Sequence, residues 1–77
     1  MTTLPVLSGK KLLKVLIKHG YVALRKKGSH VFVESVNGEC STVIPIHGNE
    51  DLGTGLLKST LNDLELTADD LQKMLRK

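Results

Sequence analysis

The first third of the chain places apolar residues at the three- and four-residue spacing of an amphipathic helix. The apolar positions are Leu12, Leu13, Leu16 and Ile17. Ser8 is a good N-cap residue, and Gly20 is a good residue to follow the last turn. The pattern predicts a first helix between Ser8 and Gly20, with its apolar stripe facing a core.

The middle of the chain is rich in β-branched residues and interrupted by turn residues, which predicts three strands. The predicted strands cover residues 21–26, 29–36 and 40–46. Lys27-Gly28 is predicted to be the tight turn between the first two strands, because Gly28 can adopt a positive φ. Asn37-Gly38, the strongest hairpin signal in the chain, is predicted to join the second strand to the third.

The second predicted strand has alternating character. Val31 and Val33 alternate with His30 and Phe32. Since successive side chains of a strand point to opposite faces, the two valines are predicted to face the helices. His30 and Phe32 are then predicted to lie on the other face, open to a substrate. Pro45 lacks a backbone donor, which predicts that the third strand ends at an unpaired sheet edge.

The last third of the chain returns to helical spacing after a loop that begins at His47. Thr54 is predicted to cap a second helix. The apolar stripe of this helix consists of Leu56, Leu57, Thr60, Leu61 and Leu64. Thr67 and Asp70 stand three residues apart, as in a capping box, and predict a short final helix. The order α-β-β-β-α with a terminal helix predicts an α+β fold, in which a three-stranded antiparallel sheet has helices on one face.

Length and cysteine content narrow the class of protein. The 77 residues fit a single domain, residues 1–77. Cys40 is the only cysteine, so an internal disulfide is excluded, and we interpret it as a small packing residue in the third strand. No stretch is apolar enough to span a membrane, and no signal-peptide pattern is present. These features predict a cytoplasmic protein.

Charge is distributed unevenly along the chain. Residues 1–35 contain seven Lys and Arg against one acidic residue, whereas residues 36–77 contain four against seven. Lys10, Lys14 and Lys18 lie four residues apart on one face of the first predicted helix, where like charges repel by roughly 0.2–0.5 kcal/mol per pair. The basic front half predicts a polyanionic partner, although a solvated helix face explains the lysine stripe equally well.

The residues that could carry chemistry lie in the segment Arg-Lys-Lys-Gly-Ser-His at positions 25–30. The histidines and Cys40 show no metal-ligand spacing, so neither a metal nor another cofactor is expected. His30 has the side chain whose unperturbed pKa, about 6.5, suits proton transfer near neutrality. Cleavage of RNA needs a proton taken from a 2′-hydroxyl and stabilisation of negative charge, which histidine and its cationic neighbours offer. From the residues alone, a histidine at a strand start is more often a surface or interface residue.

Five short motifs stand out along the chain: Ser8-Gly9-Lys10-Lys11-Leu12, Gly20-Tyr21, Lys27-Gly28-Ser29-His30, Pro45-Ile46-His47-Gly48-Asn49 and Gly55-Leu56-Leu57. Together they resemble the motifs of the HicA-type mRNA interferases. The likeness extends over residues 7–66. The chain departs from the family's frequent pattern at Val31, which follows the histidine, and at Lys58, where arginine is common.

The resemblance implies a fold like that of the double-stranded RNA-binding domain and cleavage of mRNA without a metal. It also implies that His30 is the catalytic histidine and that a HicB-type antitoxin silences the toxin by covering its active site. The predicted RNA-binding residues are Lys10, Lys14, Lys18, Lys26, Lys27, Gly28, Ser29 and His47.

Each predicted RNA-binding residue also has a simpler interpretation. Gly28 is needed by the turn in any case, and Ser29 could cap that turn. His47 fits a loop-ordering hydrogen bond better than RNA binding, and Phe32 fits partial packing better than base stacking. The lysines could simply keep the chain soluble.

Two functions compete with that of a ribonuclease toxin. The fold and the basic front half would suffice for a non-catalytic RNA- or DNA-binding module. They would also suit an interaction protein that docks a partner on its sheet. A binder needs cations in the segment 25–30 but no proton carrier, so the placement of His30 favours catalysis.

Overall fold

The computed structural model describes residues 4–76 as helices and strands in the predicted order. The elements are α1 (Gly9–Lys18), β1 (Val22–Lys27), β2 (His30–Glu34), β3 (Ser41–Pro45), α2 (Thr54–Asp63) and α3 (Ala68–Leu75). The strands form one antiparallel sheet in the order β1-β2-β3. The α+β architecture is thus confirmed, whereas the likeness to a double-stranded RNA-binding domain stays a prediction.

Hydrogen bonds close both ends of α1. Ser8 Oγ accepts from the Lys11 backbone N–H at 3.1 Å, which confirms Ser8 as the N-cap. At the other end Gly20 has a φ of +98°, and the Tyr21 N–H donates to the Leu16 carbonyl at 3.0 Å. This is the Schellman ending, for which glycine is the favoured residue.

The apolar stripes of α1 and α2 are narrower than the sequence predicted. Leu12 and Leu16 are fully buried, but Ile17 is 47% exposed, and in α2 Leu57 is buried while Leu56 is 43% exposed. Each exposed residue lies about 100° around its helix from a buried neighbour, which places it outside the row of side chains that meets the core. The predicted core positions of Ile17 and Leu56 are therefore wrong.

The turn between β1 and β2 lies one residue later than predicted. Lys27 pairs with His30, so the turn consists of Gly28 and Ser29, and Ser29 does not begin the strand. Gly28 has a φ of +59°, and a positive φ at the first turn position is typical of a type II′ hairpin.

The hairpin between β2 and β3 is confirmed, but its connection is longer than an Asn-Gly turn. Residues 35–40 form a loop between the two strands. The side-chain oxygen of Asn37 accepts hydrogen bonds from the Ser35 hydroxyl at 2.7 Å and from the Glu39 N–H at 3.1 Å. Cys40 belongs to this loop and not to the third strand, because strand pairing starts at Ser41.

The two C-terminal helices begin differently. The carbonyl of Gly53 accepts from the Leu57 N–H at 2.9 Å, so Gly53 is the N-cap of α2, and the predicted cap at Thr54 is wrong. The capping box of α3 is confirmed. The Thr67 N–H donates to Asp70 Oδ2 at 2.9 Å, and the Asp70 N–H donates to Thr67 Oγ1 at 3.1 Å.

The core lies between the helices and one face of the sheet. Val31 and Val33 of β2 and Ile44 of β3 are buried there, which confirms the predicted alternation. The buried leucines around them are Leu7, Leu12, Leu16, Leu57, Leu61, Leu64 and Leu71. His30 is exposed and Phe32 is half-buried on the opposite face.

α1 approaches the sheet closely at its first residue. Gly9 is buried, and a Cβ at this position would overlap the Pro45 carbonyl oxygen and lie 3.3 Å from Ile44 Cγ2. The absence of a side chain at Gly9 therefore allows the N-terminus of α1 to rest on the end of β3.

Replacing Gly9 with alanine is expected to lower the free energy of unfolding by about 1–3 kcal/mol, because strand backbone cannot yield as a flexible side chain can. Gly55→Ala is the matched control. Nothing lies within 4 Å of a Cβ at Gly55, and alanine there should stabilise α2 by up to about 1 kcal/mol. Urea unfolding measures both variants. Equal stability of the two would contradict the close packing of α1 on β3.

The capping box predicts a pH dependence of stability. The hydrogen bonds from the backbone and side chain of Thr67, and then the charge of Lys73, hold the pKa of Asp70 below its usual 3.8. A folded-state pKa below the unfolded one stabilises the fold above 3.8, and this contribution is lost as the pH falls through the folded value. Asp70→Asn should therefore melt below the parent at neutral pH, with a gap that narrows in acid. A gap independent of pH would show that the carboxylate charge does not matter.

Candidate active site

The face of the sheet opposite the helices is here called the open face, and each of its residues is exposed or half-buried. Its members, taken from the strand register, are Val22, Arg25, Lys27, His30, Phe32, Glu34, Ser41, Val43 and Pro45. His30 begins β2 on this face, between Lys27 of β1 and Pro45 of β3. The candidate catalytic imidazole is thus exposed at one end of the central strand, with a cation directly across from it.

The backbone at His30 is held from both sides. On one side the turn at Gly28 returns the chain into β1 pairing. On the other, the Ile46 N–H donates to the Ser29 carbonyl at 2.6 Å and continues the β2–β3 pairing to the turn itself. The hydrogen bonds formed within residues 4–76 do not include the His30 imidazole. A fixed backbone therefore presents a ring whose nitrogens are available.

The two lysines before the turn fall on opposite faces of the sheet. Lys27 pairs with His30 and so belongs to the open face, as does Arg25. Lys26 pairs with Val31, whose side chain enters the core, and so belongs to the helix-facing side, where it is exposed at the sheet edge. Of the predicted pair of RNA-binding lysines, the structure brings only Lys27 beside His30.

The N-terminus of α1 lies at the same end of the sheet as His30. Gly9 rests on Pro45, and the Leu52 N–H donates to the Leu7 carbonyl at 2.8 Å, which ties the segment before α1 to the loop after β3. An open cavity of about 380 Å³ lies between the start of α1 and the loop after β3. Its lining consists of Ser8, Lys10, Lys11, Lys14 and Asn49. This cavity is a cationic recess, because the predicted RNA-binding residues Lys10 and Lys14 line it together with Lys11, and Asn49 of the loop completes the lining.

Two other predicted RNA-binding residues, Lys18 and His47, lie outside the recess and off the open face. Lys18 is two turns beyond Lys10, about 12 Å along the helix axis, and does not line the recess. His47 is exposed in the loop after β3. That loop is closed by its backbone, since the Glu50 N–H donates to the His47 carbonyl at 3.1 Å. The hydrogen bonds within residues 4–76 do not include the His47 ring, so the predicted loop-ordering role of this ring is not seen.

A second group of ionisable residues lies at the far end of the sheet from His30. A cavity of about 500 Å³ there is lined mainly by Tyr21, Leu66 and Met74 with His19, Asp70 and Lys73.

Partial burial, followed by the charges of Glu65 and Glu39, raises the pKa of the Cys40 thiol. Because the thiolate is the nucleophilic form, this environment argues against Cys40 as a nucleophile.

One contact on the open face was not predicted from the sequence. Arg25 Cζ lies 4.8 Å from the centroid of the Phe32 ring, which is the geometry of a cation–π contact. The two residues are register partners across β1 and β2. The alternating pattern placed Phe32 on this face, but pairing it with Arg25 requires the turn to be at Gly28-Ser29.

Residues 4–76 include neither a group of metal ligands nor a membrane-spanning helix. No three His, Cys, Asp or Glu side chains in this range are grouped so that they could hold a metal ion. No helix in it is long and apolar enough to cross a membrane.

The fold and the surroundings of His30 define a small α+β protein with an exposed histidine among cationic side chains. The sequence profile of the HicA toxin of bacterial toxin–antitoxin systems matches residues 9–66, three quarters of the chain. The chain belongs to this family, whose toxins generally cleave RNA and are paired with an antitoxin. The match runs from the start of α1 to just beyond α2 and leaves α3 outside. No curated protein and no solved structure matches the chain.

Proposed function

We propose that the protein is a metal-independent endoribonuclease that cleaves mRNA, with His30 as its general acid/base. The observation that carries this proposal is the exposed imidazole of His30, fixed by strand pairing on both sides and faced by Lys27. Membership of the HicA family supplies the reaction class. The scattered positions of possible metal ligands within residues 4–76 support a reaction carried by protein side chains.

The proposed step is a transfer within the RNA chain. The 2′-oxygen of one nucleotide forms a bond to the adjacent phosphorus, and the bond from phosphorus to the 5′-oxygen of the next nucleotide breaks. The products are a 2′,3′-cyclic phosphate and a 5′-hydroxyl. One proton leaves the 2′-hydroxyl and one reaches the 5′-oxygen, and His30 serves one or both of these transfers. Lys27 stabilises the negative charge that develops on the phosphate.

The remaining predicted residues would bind the RNA backbone around this centre. Gly28 leaves open space beside the turn, and Ser29 offers a hydroxyl next to His30. Lys10 and Lys14 form a second cationic position in the recess at the end of β3. Lys18, Lys26 and His47 lie further out, where they would meet the flanking nucleotides of a longer mRNA.

We also propose that a HicB-like antitoxin inhibits the toxin by covering the His30 end of the open face. The family pairs each toxin with an antitoxin. The surface around His30 carries Arg25 and Lys27, so an acidic surface would complement it and associate rapidly. Such control fits a toxin that acts on the mRNA of its own cytoplasm.

His30→Ala is expected to abolish cleavage and toxicity while leaving the fold intact. Loss of a general acid–base group typically slows the chemical step by about 10²–10⁴-fold. Removal of an exposed side chain outside the core should change the free energy of unfolding by no more than about 0.5 kcal/mol. Cleavage of a long RNA with excess EDTA, growth after induction, and thermal melting measure the three effects.

His47→Ala and His19→Ala are the matched controls for this experiment. Both remove an exposed imidazole that lies off the open face. The His19 ring is 3.2 Å from the Met74 carbonyl, away from His30, so a folded His19→Ala protein should keep its cleavage activity. His47→Ala should lower cleavage far less than His30→Ala does, because His47 would meet only flanking nucleotides. A His30→Ala protein that folds and cuts RNA at the parent rate would refute the catalytic assignment. A folded parent that binds RNA without cutting it would indicate a nucleic-acid-binding module, and cleavage lost on chelation and restored by a divalent ion would refute the metal-free mechanism.

Lys27→Ala is expected to weaken RNA binding more than Lys18→Ala does, because only Lys27 faces His30. Removing one lysine–phosphate interaction should reduce the slope of log affinity against log salt by about 0.7 for single strands. Binding of a short RNA by the His30→Ala protein, over a range of salt concentrations, measures this slope without cleavage. Equal slopes for the two lysine variants would show that the end of the sheet at His30 is not the centre of the RNA surface.

A further inference from the structure

The aromatic ring next to the candidate catalytic histidine has no part in the core. Phe32 lies two residues after His30 on the same face of β2, about 7 Å along the strand. Within residues 4–76, Phe32 is neither a core residue nor one of the side chains packed against the core. The other aromatic residue of the chain, Tyr21, does pack there. Phe32 is half-buried, so the expected partial packing is confirmed, but it occurs on the open face and outside the core. Most of one face of the ring is therefore free to meet a ligand.

One neighbour of the Phe32 ring is a planar cation, and Leu24 and Val43 line an open cavity together with the ring. Arg25 Cζ lies 4.8 Å from the ring centroid, so the guanidinium covers part of the aromatic surface. Unpaired RNA bases are commonly bound by stacking on aromatic rings or on arginine planes. Since strand pairing fixes both backbones, the two flat groups are already held together before any ligand arrives. Little ordering would then be required on binding.

Charge along the open face separates the place of a phosphate from that of a base. Lys27 faces His30 at one end, whereas Glu34 lies at the other end of the same strand. Phe32 is midway between His30 and Glu34, with Val43 opposite it on β3. A phosphate is attracted to the Lys27 end and repelled by the Glu34 carboxylate. Arg25 beside Phe32 would attract a phosphate as well, but the ring offers a phosphate no hydrogen bond, whereas a base can stack on the ring and on the guanidinium plane. The group that best fits the position of Phe32 is therefore a base.

We propose that Phe32 and Arg25 form a stacking site for one unpaired base of single-stranded RNA, on a nucleotide adjoining the phosphate at His30. The register with the phosphate rests on the proposed function, whereas the stacking itself depends only on RNA binding to the open face. A base within a duplex would first have to leave its stack, so this site selects single-stranded regions of a message.

The test compares RNA with an oligomer that has the same backbone but no bases. All proteins carry His30→Ala, so nothing is cut, and fluorescence anisotropy gives the affinities for a short mixed-sequence RNA and for its fully abasic counterpart. Adding Phe32→Ala should weaken RNA binding about 5- to 150-fold. Binding of the abasic oligomer should not change. The salt slope should stay the same, because no charge is removed.

Three further variants make the comparison specific. Phe32→Tyr keeps a ring and should bind RNA like the reference protein. Arg25→Lys keeps the charge but not the plane, so it should weaken RNA binding without altering the salt slope. Val43→Ala removes apolar surface opposite Phe32 and should have little effect. Thermal melting checks that each variant is folded.

Several results would overturn the stacking site. One is an unchanged RNA affinity of a folded Phe32→Ala protein. Another is an equal loss on both oligomers, which would show a general change of the surface. A third is a loss of antitoxin binding alone, which would show that this part of the open face is a protein interface.

The outcome for stacking can be separated from the outcome for catalysis. Base-dependent binding through Phe32 by a protein that never cuts RNA would leave the stacking site in place and refute the ribonuclease function. Cleavage by the parent together with unchanged binding by the Phe32→Ala variant would support the ribonuclease function and refute the stacking site.

Discussion

β2 is the central strand of the sheet and pairs with β1 on one side and with β3 on the other. Its alternate residues have opposite tasks, since Val31 and Val33 enter the core while His30 and Phe32 occupy the open face. A shift of the pairing by one residue would exchange the two sets, so that the valines became exposed and the imidazole buried. Burial of the valines therefore fixes the position of the candidate catalytic residue, and core packing and site geometry depend on the same register.

Most of the fold could be predicted because its signals are local and periodic. The N-cap at Ser8, the capping box at Thr67 and the alternation in β2 each depend on residues a few positions apart. The predictions that are wrong concern adjacent residues that suit the same structural role about equally well. The N-cap of α2 is Gly53 and not Thr54. The N-cap is the residue whose carbonyl accepts the first helical hydrogen bond, and the course of the backbone decides which residue that is, not the preference of the side chain. The breadth of an apolar stripe is likewise decided by what packs against it, as Ile17 shows.

The candidate site was predictable in its parts but not in its assembly. The exposure of His30 followed from alternation, yet its partner depended on whether the turn was centred on Lys27-Gly28 or one residue later. The later turn pairs Lys27 with His30 and leaves Lys26 on the other face of the sheet. In the recess, Asn49 lies beside residues that are 35 to 41 positions earlier in the chain, and no short-range pattern signals such a contact. Long-range packing, through Gly9 against Pro45, creates it.

The electrostatics of α1 connect this packing to the proposed function. Its first turn contains Lys10 and Lys11 and no acidic residue, although the positive end of the helix dipole disfavours cations there by roughly 0.3–1 kcal/mol each. Lys14 adds repulsion of about 0.2–0.5 kcal/mol, one turn after Lys10. Stability alone would favour acidic residues in this turn, whereas an anion in the recess would add attractive interactions with the same lysines and with the helix N-terminus, which offset these repulsions. Gly9 holds this unfavourable turn against the end of β3, beside the strand end that carries His30. Under the proposed function, a phosphate of the bound RNA would be stabilised by the lysines and by the helix N-terminus together, at the end of the sheet where His30 lies.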